Sequence, residues 1–238
     1  KFIQWTLKFA IGVFVVIILL ASASFLYVYF NRVVIISRVA ATLNKMVTGE
    51  LKMKHVSIDF FHYFPRTAIH LKEVTLHDSL FQYHKMEFLH ADDAFIKVNF
   101  RDLFDSKLEI ENISLHHGTL FVFKENNGYS NNYLFKNQFN GKASAFKTLL
   151  NEVELKDFKV IYKDQAKGSF HNVYFNNLTC GIQEHEGKLA LAIRSDGIIK
   201  MLAFKLDKGA YARNATFDNY FIAYYDKRDN SLDVPPHT

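Results

Sequence analysis

One spacing constrains this chain more than any other feature. Apolar residues recur at positions 0, 2, 5 and 7 of an eight-residue window, with polar residues between them. The copies are Leu51/Met53/Val56/Ile58, Ile69/Leu71/Val74/Leu76, Leu108/Ile110/Ile113/Leu115, Val153/Leu155/Phe158/Val160 and Val173/Phe175/Leu178/Cys180, and Tyr174 is the one soft exception among the intervening residues. With 49% of the chain hydrophobic, an eight-position match arises by chance in roughly one window in 256, about one hit along the chain. Five copies mark a reused structural unit.

Positions 0 and 2 of the window share one face of a strand, and so do 5 and 7, but the step from 2 to 5 reverses the alternation. A β-bulge or sharp bend at that step returns all four apolar residues to one face. The pattern therefore predicts long strands, each kinked once, with one apolar and one wet face. One-sided strands of this kind belong to antiparallel sheets. Helical periodicity is confined to Arg32–Val47, where Ile36, Val39, Ala40, Leu43, Met46 and Val47 form a stripe and Gly49 follows as a stop. Short helices are also expected at Arg101–Phe104 and Ala143–Asn151. A sheet of about ten strands thus has roughly one helix to cover it. Three outcomes stay open: the sheet folds on itself, it meets a partner's sheet, or it holds an apolar ligand.

Phe9–Phe30 is uncharged and almost wholly apolar. As a helix at ~1.5 Å per residue its length is about 33 Å, against a hydrocarbon core of ~30 Å. Trp5, Tyr27 and Tyr29 sit where interfacial aromatics belong. Ala21-Ser22-Ala23 resembles a signal-peptide cleavage site, but the apolar run continues through Phe25, Leu26 and Val28, beyond the length of an h-region. A retained transmembrane anchor is the expectation. Lys1 and Lys8 before the span and Arg32, Arg38 and Lys45 after it leave charge undecided on orientation. Size favours a cytoplasmic N-terminus, with the β-rich bulk outside.

The net charge of +5 is interspersed rather than clustered, which gives no nucleic-acid footprint. Cys180 is the single cysteine, so no intrachain disulfide exists, and its apolar pattern position reads as a buried small hydrophobe. Pro65 marks a turn between the first two copies, and Asn126-Asn127-Gly128 marks a hairpin between Leu120–Phe123 and Tyr133–Phe135. The chain starts without Met and stops just after strand-like sequence, and it reads as part of a longer protein. No catalytic constellation emerges: there is no G-x-S-x-G and no Walker A glycine before Gly141-Lys142. His55, His62, His70, His77, His84 and His90 recur about every seven residues, a spacing that scatters ligands along strands and suits no compact metal site. No enzyme activity and no cofactor are expected.

From Arg32 to about Phe135 the order of signals resembles the AsmA family of bacterial envelope proteins. The likeness runs through the membrane span, the amphipathic helix ending Leu43-Asn44-Lys45…Gly49, the strand Leu51–Phe60, Phe64-Pro65 and Ile69–Leu76. It continues through Leu89-His90-Ala91-Asp92, a strand ending near Leu103-Phe104, Leu108–Ile113 and the hairpin Asn127-Gly128…Asn131. AsmA-like proteins are similar to TamB and to chorein-type bridge-like lipid transfer proteins. The resemblance implies a taco-like β groove whose apolar floor shields acyl chains. It also implies residence in the inner membrane with the β domain in the periplasm, and a part in phospholipid transport and outer-membrane biogenesis. It carries no catalytic residues.

The fold expected is mainly β: an N-terminal transmembrane helix (1–30), an amphipathic helix (31–49) and an elongated, curved antiparallel sheet forming an AsmA-like β-groove domain (50–238). The groove candidates are Val56, Ile58, Val74, Leu76, Ile113, Leu115, Phe158, Val160, Val173 and Phe175. The partners expected are a phospholipid or other acyl lipid, the inner membrane and an envelope protein. The competing expectation is a membrane-anchored scaffold or accessory subunit whose apolar face meets another protein and moves no lipid itself.

Overall fold

The computed structural model describes residues 2–47, 49–59, 67–98, 110–134, 150–185, 187–226, 228 and 231–235. Two compact units divide the chain, residues 1–41 and 42–238. The apolar run and the following stripe form one continuous helix, α1 (Phe2–Met46), and Gly49 stands just beyond its end as expected. Among the described residues, no helix is long and apolar enough to cross a membrane. Part of Phe9–Phe30 lies outside the described side chains.

The second unit carries one ten-stranded sheet. Its strands are β1 (Glu50–Lys52), β2 (His55–Asp59), β3 (Thr67–His77), β4 (Leu89–Val98), β5 (Ile110–Lys124), β6 (Glu152–Asp164), β7 (Ser169–His185), β8 (Lys188–Ala203), β9 (Ala212–Asp226) and β10 (Ser231–Asp233). A single helical turn, α2 (Phe81–His84), joins β3 to β4. The strands lie almost in chain order, with β1 and β2 end to end along β3, and the sheet is curved and open. Among the described residues, the expected antiparallel pairing holds for every strand pair but one. β5 and β6 run parallel. A parallel pair needs a crossover of a dozen residues or more, and the connection 125–151 supplies it.

The predicted bends are present, and all but the third copy's line up. The pairing skips one residue on each side at Glu73/Asp92, Asp92/His117, His117/Asp157 and Asp157/Asn176. Glu73, His117 and Asp157 adopt φ of 49°, 52° and 49°. This left-handed conformation breaks the alternation of side chains within a strand. The result is a crease running across β3–β7. Each strand places two consecutive polar residues there: Lys72-Glu73, Asp92-Asp93, His116-His117, Lys156-Asp157 and Asn176-Asn177. Lys54, between β1 and β2, extends the line through an ion pair to Glu73 at 2.8 Å. His117 and Asp157 meet at 3.6 Å, and the Tyr174 hydroxyl donates to Asp157 at 3.2 Å.

Two sequence expectations need correction. The turn at Asn127-Gly128 forms, with Gly128 at φ 91°, but its second arm is a single bridge, Lys124 to Ser130, rather than a strand. Asn131 explains why: its fully buried amide accepts the Phe123 N–H at 2.9 Å and donates to the Phe121 carbonyl at 2.8 Å, occupying backbone groups a second strand would need. The third repeat copy is also out of step. Its slip between Ile110 and Ile113 matches a separate register shift opposite Lys97/Val98, while the crease crosses β5 later, at His117. Leu108, Pro65, Arg101–Phe104 and most of Ala143–Asn151 lie outside the described residues.

Candidate functional site: an apolar sheet face

The register arranges one face of the sheet into four rows. The first contains Ile58, Ile69, Ile96, Ile113, Val153, Cys180, Ile193 and Phe221. The second contains Val56, Leu71, Ala94, Leu115, Leu155, Leu178, Ser195 and Asn219. Across the crease, the third contains Val74, Ala91, Gly118, Phe158, Phe175, Gly197 and Phe217. The fourth contains Leu51, Leu76, Leu89, Leu120, Val160, Val173, Ile199 and Ala215. All ten groove candidates fall in these rows. Bending β3–β7 at the same step keeps the hydrophobic set together where a straight strand would turn half of it to the wet side.

Exposure divides the face. On β3 and β4 it is closed: Ile69 and Ala91 are fully buried, and Leu71, Ile96, Val74 and Leu76 are nearly so. Val74 and Leu76 therefore line no open surface. At the fourth-row end, Val47, Tyr133 and Leu134 pack on Leu51, Leu76, Leu89, Leu120 and Phe88. From β5 onward most apolar row residues are only half-buried, including Ile113, Leu115, Val160, Val173 and Phe175. Phe158 departs from this, at 1% exposed. Its ring leans over Gly118, where a Cβ would come within 2.4 Å of Phe158 Cε2 and 2.2 Å of the His90 carbonyl oxygen. Gly197 fills the same need on β8, where a Cβ would stand 2.0 Å from the Tyr174 carbonyl oxygen, and the flanking Phe175 and Phe217 meet edge to face at 5.6 Å. Cys180 lies on the apolar face but is half-buried rather than buried, and its partial burial pushes the thiol up.

Sequence reasoning missed part of the site. Leu89/Ala91/Ala94/Ile96 on β4 is a further copy, hidden because Phe95 occupies a polar slot. Phe95 is tolerated on the wet face because it stacks on His70 at 4.4 Å and lies 5.0 Å from His116. Gly118 hid the in-register copy on β5, and on β8 and β9 plain alternation replaces the slip. Those last strands also lose one row, since Ser195 and Asn219 are polar.

Two further polar clusters pair internally. Ser114 Oγ and His116 Nε2 lie 2.7 Å apart, with Ser114 buried, and burial lowers the His116 imidazole. Near α2, His84 Nε2 contacts both Asp78 oxygens at 2.9 and 3.0 Å, and Asp78 also accepts the Leu80 N–H. Comparison with protein-family models, curated proteins and solved structures finds no match.

Proposed function

We propose that the chain is a membrane-anchored lipid-binding protein whose half-open apolar face, from β5 to β9, shields acyl chains. The observation that carries this reading is the face itself: three rows stay apolar to the last long strand, and their side chains keep partial access to solvent. A soluble domain rarely leaves so continuous an apolar surface without an occupant. Each buried methylene of a chain would contribute about 0.8 kcal/mol. The described apolar side chains of α1 support a bilayer as its surroundings, since Phe9, Phe14, Leu19 and Phe30 are 69, 63, 63 and 77% exposed. On this reading α1 is a single inner-membrane span with its N-terminus in the cytoplasm, and the sheet works in the periplasm in phospholipid transport, as the likeness to AsmA proteins implies.

The test is an acidic substitution on the open part of the face. Phe175→Asp and Val173→Asp should abolish co-purifying phospholipid while leaving the far-UV circular dichroism of the sheet in place. Folded variants that retain their lipid would remove the groove from the account. One observation favours the scaffold reading instead: among the described residues, β9 pairs on its outer side only at Tyr224–Asp226, through β10. The edge from Ala212 to Ala223 has the length to receive a strand from a partner. A stoichiometric protein captured through that edge, with no lipid present, would make the scaffold the better description.

A further inference from the structure

We infer that β9 is a self-pairing edge, and that the sheet continues across it into a second copy of this chain. This does not depend on the lipid-binding reading. The two edges of the sheet differ. At one, β1 and β2 are three and five residues long, and Glu50, Lys52, Lys54, His55 and Asp59 stud the line they share. Short, charged strands of that kind keep an edge from pairing. At the other, β9 is fifteen residues long. Near its end Tyr224, Tyr225 and Asp226 pair with β10, and near its start Asn214 takes a left-handed φ of 49°. Between these limits residues 215–223 pair with β8 without interruption and contain no Lys, Arg or Pro and one charge, Asp218. Among the described residues, nothing pairs with the outer side of that run.

The run matches itself. On the apolar face Ala215, Phe217, Asn219, Phe221 and Ala223 read the same in both directions. An antiparallel copy turned about a two-fold axis at Asn219 therefore meets like with like. Phe217 faces the second copy's Phe221, Ala215 faces its Ala223, and Asn219 faces its own counterpart. On the wet face Asp218 faces Tyr220 and Thr216 faces Ile222, so the two carboxylates are never directly opposed. An axis one residue to either side sets Asp218 against itself or Asn219 against Phe221, and shortens the pairing. The first row, ending at Phe221, and the third, ending at Phe217, continue onto each other across the axis. Asn219 makes the second row polar here, and two amides that each donate and accept satisfy one another. A lone polar pair among apolar ones fixes register. Facing pairs along 215–223, alternately hydrogen-bonded and open, exchange about eight to ten backbone bonds. A specific interface carries about that number.

The experiment uses the full chain in detergent, with Cys180→Ala removing the single cysteine. In that background Asn219→Cys should give a disulfide-linked dimer on mild oxidation, because facing Cα atoms lie about 4.5–5.5 Å apart, within disulfide reach. Phe217→Cys and Phe221→Cys, each about 14 Å from its own counterpart, should not cross-link alone but should do so when mixed. Light scattering over a concentration series should show a wild-type dimer, and an about tenfold weaker one for Asn219→Lys, which loses the amide pair and opposes two cations. A wild-type chain that stays monomeric, with or without another protein on the edge, overturns the inference. So does a dimer unmoved by folded Asn219→Lys, or a folded Asn219→Cys that fails to cross-link, the results expected of a dimer held through α1 alone.

Discussion

Gly197→Ala and Gly181→Ala form a matched pair that tests the close approach of β7 and β8 beside the crease. Both glycines lie within that strand pair. At Gly181 a Cβ meets nothing nearer than Ala192 Cβ at 3.8 Å, an ordinary contact. Alanine there should stabilise by about 0.4–1 kcal/mol, by narrowing the unfolded ensemble. At Gly197 the same methyl falls 2.0 Å from the Tyr174 carbonyl oxygen and 3.0 Å from Phe175 Cα, both backbone atoms that no rotamer change can move. Relief requires the strands to separate beside Asn176, which the pairing of β7 with β8 leaves out between Phe175 and Asn177, an overpacking cost of about 1–3 kcal/mol. The two variants should therefore differ by about 1.5–4 kcal/mol in total. For a domain of this size each kcal/mol moves the melting temperature by about 2–4 °C. Thermal unfolding followed at the β-sheet circular dichroism band reads that difference. Equal melting temperatures for the two variants would refute the packing argument.

Three further outcomes follow from the same geometry. His117→Val should lower the melting temperature, because a β-branched residue resists the left-handed conformation that costs an ordinary residue about 1–2 kcal/mol, whereas His117→Gly should come within about 1 kcal/mol of wild type; equal losses would remove the crease conformation from the account. Asp226 is held well below the ordinary carboxylate value of 3.8 by the side chain of Arg228, so its contribution is present above that value and is lost as pH falls beneath it. The melting-temperature gap between wild type and Asp226→Asn should accordingly narrow on acidification, and a constant gap would contradict the pairing. Burial lowers the His116 imidazole, so its NMR titration should fall below pH 6.5, and acid should begin to cost stability as pH drops under 6.5, where the unfolded chain takes up the proton first; a midpoint at or above 6.5 would contradict its burial.

The fold was legible where hydrophobicity alone sets the answer. The apolar spacing required a break in alternation, and the left-handed residues Glu73 and Asp157 supply it in the second and fourth copies, while on β5 the left-handed residue His117 lies beyond the step the spacing marked. That these breaks would align across neighbouring strands was not legible, because register depends on partners far away in sequence. The parallel pairing of β5 and β6 was hidden for the same reason. Ala91 and Gly118 contribute to the face through the room they leave, and an apolar count gives such residues little weight. Nor does a one-dimensional pattern separate closed from open positions: Leu76 and Val160 both hold position 7 of the repeat and share the fourth row, yet Leu76 is buried and Val160 half-open.

The most direct test of the lipid reading is mass spectrometry of lipids that accompany residues 31–238 through a detergent-free purification. The account predicts phospholipid in stoichiometric amount, reduced or lost in Phe175→Asp. A folded, monomeric protein free of lipid would contradict it, and would show that the apolar rows need no acyl chain to stay in solution.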